Sequence, residues 1–203
     1  YATDGSDDGA INFYVVATDP FGNNSGCVDV SLGYTLDTTD PTVAITSFPV
    51  INSSNENAYV FSGTCSENGQ QVTVSAGGVN PAVQPTCTAL AWSATVDVSG
   101  LADGNVTLLA DHDDAAGNNA TQASQTVVKD SVAPTPASWT WTFILPGNGT
   151  VSSNNTPSFQ ASSAEPGVTV QMYDNGACSS TAGSSQVISG GGIGSFFDLA
   201  YAT

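Results

Sequence analysis

Short runs in which apolar or aromatic residues alternate with polar ones recur along the chain, and clusters of Gly, Asn, Asp and Pro separate them. Alternation with a period of two is typical of a strand with one buried face. No stretch of about twelve residues shows a helical period. Many short strands at regular spacing predict an all-β chain built from β-sandwich domains of about seven strands. The clearest runs are residues 11–17, 72–75, 95–98, 106–110 and 168–172.

The chain contains an internal repeat. Residues 8–24 align without gaps with residues 103–119, and each copy begins with Asp-Gly and ends with Gly-Asn-Asn. Each copy then leads through a polar segment to a linker that contains Asp and Pro, and a further pair of segments also matches. The linkers are residues 37–41 and 130–134, and the further pair is residues 65–74 with residues 163–170. Such self-similarity indicates tandem copies of one structural unit.

The repeat divides the chain into one complete domain and two halves. Residues 41–133 form the complete domain, and residues 1–40 are the C-terminal half of another, completed by a neighbouring copy. Residues 134–203 are an N-terminal half that continues into residues 4–40 of the next unit. The chain opens and closes on Tyr-Ala-Thr, so we expect one window of an array that repeats about every 200 residues. The alternatives are a truncated fragment with two incomplete domains, or separate subunits that complete each other by strand donation.

The charge of the chain narrows the range of partners. The 203 residues carry 18 acidic side chains, a single Lys or Arg and a formal net charge of −17. Nucleic acid and anionic membranes are excluded, because binding them needs Lys and Arg, and only Lys129 is present. Such a surface stays soluble and attracts divalent cations. No apolar run approaches the roughly 18 residues of a membrane helix. Tyr1 falls in the middle of a predicted domain, so we expect the true start of the protein to precede it.

The four cysteines, in a chain with one histidine and no CxxC motif, favour disulfides over a zinc site. Disulfides indicate an oxidising compartment. Within the complete domain, Cys65 is expected to bond Cys87. Cys178 is expected to bond Cys27 of the adjacent unit, and buried free thiols are the alternative.

Several motifs together resemble the bacterial immunoglobulin-like tandem repeats of large extracellular adhesins and surface filaments. They are residues 16–23 (VATDPFGN), 37–43 (DTTDPTV), 62–69 (SGTCSENG), 102–104 (ADG) and 114–118 (DAAGN). The resemblance covers essentially the whole chain. It implies immunoglobulin-like β-sandwich domains arranged end to end as a rod, often stiffened by calcium between domains. The cysteines depart from the family pattern, as does the front half that begins Trp139-Thr140-Trp141.

Calcium is the predicted cofactor, because a hard cation takes its ligands from carboxylate, amide and carbonyl oxygens. In an immunoglobulin-like sandwich, the loop between the second and third strands, the loop between the last two and the entering linker lie at one end. The predicted ligands at one junction are Asp37, Asp40, Glu67 and Asp114, and those at the next are Asp130, Glu165 and Asp19 of the following unit. The alternative is that these residues only form turns.

The near-uniform repetition predicts a structural function, because a spacer reuses one unit whereas recognition usually diversifies loops. We expect a shaft of an extracellular filament or adhesin at the cell surface, whose partners are other copies of the repeat, end to end or side by side. A module that binds a glycan or another cell-surface ligand is one alternative. An accessory domain of a secreted enzyme is the other.

No catalytic residue is predicted, and the chain is not expected to be an enzyme. His112 lies between Asp111 and Asp113, but the chain has no Gly-x-Ser-x-Gly turn or comparable frame for a nucleophile. Trp92 is expected in a core. Trp139 and Trp141 fall on one face of a strand, which either faces a core or contacts a partner or glycan.

Overall fold

The computed structural model describes residues 5–78, 83–135, 140–144, 158–162, 167–171, 173, 176–179, 186–187 and 196–198. The chain divides into two compact units, residues 1–132 and 133–203. Apart from one 3₁₀ turn at Glu56–Ala58, every regular element of the described residues is a strand, so the prediction of an all-β chain is confirmed. None of the described residues forms a helix long and apolar enough to cross a membrane.

The first unit opens with four short strands, which we call the ribbon. They are β1 (Gly9–Ala10), β2 (Tyr14–Val15), β3 (Val28–Asp29) and β4 (Thr35–Leu36). β1 pairs with β4 and β2 pairs with β3, both antiparallel. The predicted single strand at residues 11–17 is therefore interrupted. The interruption arises because the segment between β3 and β4, which runs antiparallel to residues 11–13, is two residues longer than they are. The extra residues lie between Val30 and Tyr34, where the chain turns through Gly33 at a φ of 72°.

The rest of the first unit is a seven-stranded body. Its strands are β5 (Val43–Ser47), β6 (Ile51–Asn52), β7 (Tyr59–Cys65), β8 (Val72–Ala76), β9 (Ala91–Val96), β10 (Gly104–His112) and β11 (Ala123–Asp130). One sheet has the order β5-β7-β9 and the other has the order β6-β11-β10-β8. All neighbours are antiparallel except β6 and β11, which run parallel.

The two sheets bury one shared hydrophobic cluster. Burial alternates along β7, β8, β9 and β10, as expected where one face of each strand is covered. Trp92 is in this core, as predicted, with its ring edge-on to Phe61 and its indole N–H donated to the Thr64 carbonyl at 3.1 Å. The Trp92 ring lies so close to Gly63 that any side chain at Gly63 would overlap both it and the Ala44 backbone.

The second unit contributes five strands among the described residues. They are β12 (Thr140–Ile144), β13 (Ser158–Ser162), β14 (Thr169–Val170), β15 (Gln186–Val187) and β16 (Phe196–Asp198). One sheet has the order β12-β13-β16, and β14 pairs with β15. Trp141 lies on β12, whereas Trp139 is outside the described residues.

Candidate metal centre

The loop between β10 and β11 is closed by the carboxylate of Asp114. One oxygen of Asp114 accepts the backbone N–H groups of Gly117 and Asn118 at 2.7 and 2.8 Å, and the other accepts the side-chain amide of Asn118 at 2.7 Å. Gly117 has a φ of 95°, which L residues rarely adopt, so the backbone conformation of this loop favours glycine at this position. The sequence Asp-x-x-Gly-Asn thus fixes one carboxylate at the loop.

Three acidic side chains from separate segments meet beside this loop. One carboxylate oxygen from each of Asp37, Glu67 and Asp114 lies within 4.8 Å of the others. Asp37 is in the chain that leaves β4, Glu67 follows β7, and Asp114 follows β10. The Asn118 amide also donates to the Asp37 carbonyl at 3.1 Å, and the Ala115 N–H lies 3.4 Å from Glu67 Oε2. We call Asp37, Glu67 and Asp114 the carboxylate cluster.

Among the described residues, no Lys or Arg side chain contacts the carboxylate cluster. Burial of Asp114 acts to raise its pKa, but hydrogen bonds from Asn118 and Gly117 outweigh that and hold the pKa below its usual value. Asp114 is therefore ionised at neutral pH. Lys129 is the one Lys or Arg of the chain, and its ammonium instead contacts Glu56 at 2.8 Å and Asp103 at 3.1 Å.

Of the other predicted ligands, Asp40 is exposed and lies outside the carboxylate cluster. Asp19 closes its own loop as Asp114 does, accepting the N–H groups of Phe21 and Asn23 and the Asn23 amide at 2.7 to 2.9 Å. Hydrogen bonds from Asn23, the side chain first, lower the pKa of Asp19. Asp130 accepts the Val132 N–H at 3.2 Å. Glu165, the remaining predicted ligand, lies outside the described residues.

Two further aspartates, absent from the predicted ligand set, anchor the linkers. Asp103 accepts the backbone N–H and hydroxyl of Ser131 at 3.0 and 2.9 Å, in addition to its contact with Lys129. Asp8 accepts the corresponding groups of Thr38 at 2.8 Å, and the Thr39 hydroxyl at 2.7 Å. Both aspartates belong to the repeated Asp-Gly turn, and that repeat is the sequence feature that could have indicated their shared role.

A disulfide joins Cys65 to Cys87, the same pair as expected from the sequence, with Cα atoms 6.1 Å apart. It connects β7 to the segment after β8, close to where Glu67 leaves β7. Cys27 and Cys178 are unpaired within the single chain, and both are exposed rather than buried.

His112 and the tryptophans bear on the alternative functions. The His112 ring is buried on the core face of β10, and its Nδ1 lies 3.0 Å from the Gln71 carbonyl oxygen. Trp92 is in the core and cannot offer a platform to a sugar. A polar groove of about 360 Å³ crosses the outer face of β8 and β10, and it is lined by Gly69, Gln70, Gln71, Thr73, Gln84, Asp111, Asp113 and Asp114, without an aromatic ring.

Comparisons with known proteins give matches among solved structures. No protein-family model and no curated protein matches the chain. A chain from work on host cell surface retention of a 1.5-MDa bacterial ice-binding adhesin is similar, with a TM-score of 0.42 and 20% identity over 92% of this chain and 62% of that one. A tetra-tandem repeat from the extending region of a large adhesion protein gives a TM-score of 0.43 and 19% identity over 95% of this chain and 48% of that one. The present chain spans less than two thirds of either.

Proposed function

We propose that the chain is a non-catalytic shaft repeat of an extracellular bacterial adhesin or filament, built from immunoglobulin-like domains joined end to end at the cell surface. The observation that carries this is that one hairpin occurs twice, with an equivalent aspartate–asparagine loop closure and an equivalent aspartate–linker contact in each copy. Asp19 repeats the loop closure of Asp114, and Asp8 repeats the linker contacts of Asp103. A repeated unit with a repeated linker anchor suits a spacer better than a recognition surface.

The way in which the linker is held supports a stiff shaft. Asp8, at the base of the ribbon, bonds the linker at Thr38 and Thr39. Asn118, in a loop of the seven-stranded body, bonds the same linker one residue earlier, at the Asp37 carbonyl. The linker is therefore tied to the structure before it and to the structure after it, which leaves few free backbone torsions for a hinge.

Calcium at the carboxylate cluster is part of the proposal. Ca²⁺ binds oxygens at about 2.3–2.6 Å, so two ligands of one ion lie at most about 5 Å apart. The separations of up to 4.8 Å among Asp37, Glu67 and Asp114 satisfy that limit. A bound Ca²⁺ would supply the positive charge that the protein lacks here and would tie the linker to two loops of the seven-stranded body. Asp130, Glu165 and Asp19 of a following copy are proposed to form the equivalent site at the next junction.

The shaft proposal is tested by lengthening the chain. Proteins containing one, two and three tandem copies would be compared by small-angle X-ray scattering. At about 40 Å per domain and two domains per copy, the maximum dimension should grow by about 80 Å per copy. A maximum dimension that rises only as the cube root of mass would mean compact packing and would overturn the shaft. The glycan-binding alternative predicts binding to a glycan array, which the shaft does not require.

A further inference from the structure

The ribbon exposes an unusual amount of apolar side chain. Phe13 and Val15 are 46% and 49% exposed, and their neighbours Tyr14 and Val16 are 58% and 50% exposed. Val28, which lies opposite Val15 on the paired strand, is also half exposed. Phe13, Val15 and Val28 share one face of the ribbon, and an exposed apolar face of this kind marks a surface that something else covers.

The seven-stranded body contains a covered copy of this surface. The ribbon strands pair as β10 and β11 do: Gly9 faces Leu36 as Gly104 faces Lys129, and Tyr14 faces Asp29 as Leu109 faces Ser124. The alignment that makes Asp8 equivalent to Asp103 makes Phe13 equivalent to Leu108 and Val15 equivalent to Ala110. Leu108 and Ala110 are both 0% exposed. Phe13 and Val15 therefore belong to a core face.

Leu108 and Ala110 are covered by the rest of the seven-stranded body, and β8 is the neighbouring strand. β8 pairs along the free edge of β10, with Ala110 opposite Val74. Among the described residues, the corresponding edge of β2 has no partner strand, and β2 pairs only with β3.

The chain holds a second version of β8 at β14. Residues 165–170 (EPGVTV) match the segment that enters β8, and Gly167 and Gly69 have φ angles of 81° and 93°. Val170 on β14 corresponds to Val74, and both side chains are buried. The missing half of the ribbon's domain is thus present in the same sequence.

We propose that the ribbon of one copy and residues 134–203 of a second copy fold together into one composite domain. The strand at residues 168–171 of the second copy pairs along the free edge of β2, with Val170 opposite Val15, and Phe13 and Val15 enter the shared core. This inference rests on the proposed function and specifies its end-to-end partner. Because the two contact surfaces differ, the contact is head-to-tail and continues as an open chain.

The test uses the full chain with Cys27→Ser and Cys178→Ser, so that any assembly is non-covalent. Light scattering across a concentration series should show oligomers that grow with concentration. Phe13→Asp and Val15→Asp should each weaken the association by about a hundredfold, as expected for a charge introduced at a buried anchor. Tyr14→Asp and Val16→Asp are matched controls, since these residues are as exposed but correspond to outer-face positions, and they should retain assembly.

Three outcomes would overturn the composite domain. The chain could remain monomeric at every concentration, or the four Asp variants could all weaken assembly equally, which indicates non-specific adhesion. A monomer whose melting temperature falls only in Phe13→Asp and Val15→Asp would mean that the same chain covers the ribbon. None of these results affects the increase in maximum dimension expected for covalent tandem copies. The composite domain can therefore be wrong while the shaft proposal remains correct.

Discussion

The side-chain amide of Asn118 donates a hydrogen bond to the carbonyl of Asp37, a residue 81 positions earlier in the chain, at 3.1 Å. The same amide bonds Asp114 at 2.7 Å, so one side chain holds the linker against the loop that carries the buried carboxylate. The contact places Asp37 and Asp114 at one loop, where the proposed cation would bind between their carboxylates.

We expect calcium to raise the melting temperature of the chain. A ligand that binds only the folded state stabilises it by about 2.7 kcal/mol at a hundredfold excess over its dissociation constant. Glu67→Gln removes one carboxylate from the cluster and should reduce that stabilisation. Calorimetric melting with Ca²⁺ and with a chelator, together with titration calorimetry, measures both effects.

The control for the calcium prediction is Asp40→Asn. Asp40 belongs to the same acidic linker but lies outside the carboxylate cluster, so its loss should leave calcium binding almost unchanged. If Asp40→Asn and Glu67→Gln weaken binding equally, the cation is held by diffuse negative charge instead of by the cluster. If chelation leaves the melting temperature unchanged, the three carboxylates are turn and loop residues only.

Cys27 and Cys178 should form a disulfide between copies. Both are exposed and unpaired in the single chain, while the other two cysteines are already bonded. An oxidising compartment would favour pairing once end-to-end contact brings the thiols together. Peptide mapping of the assembled protein without reductant should return Cys27 linked to Cys178 and Cys65 linked to Cys87. A Cys27–Cys27 link, or free thiols in fully assembled material, would contradict the end-to-end register.

The alternation of apolar residues was enough to predict several of the main strands, because a period of two is typical of a strand with one buried face. The predicted strands at residues 72–75 and 106–110 lie within β8 and β10, whereas the one at residues 95–98 overlaps only the end of β9. The break after β1 could not be predicted. It depends on two extra residues in the paired strand, opposite the run of alternating residues and not within it.

The sequence could indicate the region of the candidate site but not its membership. The repeat marked Asp114 and Asp19 as equivalent, and their loops do have matching hydrogen bonds. The linker offered both Asp37 and Asp40, and sequence position does not reveal which carboxylate faces the loops. The anchoring role of Asp103 was missed because an Asp-Gly pair is typical of any turn.

Gly63→Ala should destabilise the seven-stranded body by about 3 kcal/mol, at the upper end of the usual cost of overpacking. A methyl group at Gly63 would collide with the Ala44 carbonyl and with the Trp92 ring, and neither lies at the end of a flexible side chain. Gly100→Ala is the matched control, since Gly100 has open space around it and no positive φ. Urea unfolding should therefore separate the two variants. Equal midpoints would mean that the sheet yields at Gly63 at little cost.

Asp103→Asn should lower the melting temperature by several degrees at neutral pH, and the deficit should shrink under acid. Hydrogen bonds from Ser131, followed by the contact with Lys129, hold the pKa of Asp103 below its usual value of 3.8. A depressed folded-state pKa gives stability that is present above the unfolded value and is lost as the pH falls through the folded value. The carboxylate advantage over asparagine should thus be full above about pH 5 and should fade below 3.8. The other acidic residues titrate in both proteins, so their contribution largely cancels in the difference.

Lys129 limits the stability of the same contact at high pH, as Asp103 does at low pH. Asp8 provides the control for the Asp103→Asn prediction. The hydrogen bond to Glu56, then that to Asp103, raises the Lys129 pKa above 10.5, so the ammonium's contribution persists at neutral pH and is lost only as the pH rises through that folded value. Asp8 makes the matching linker contacts, but Leu36 stands where the body has Lys129. Asp8→Asn should therefore leave the melting of the seven-stranded body unchanged. A deficit for Asp103→Asn that stays constant from pH 7 to below 3.8 would show that the carboxylate's charge is not what stabilises the turn.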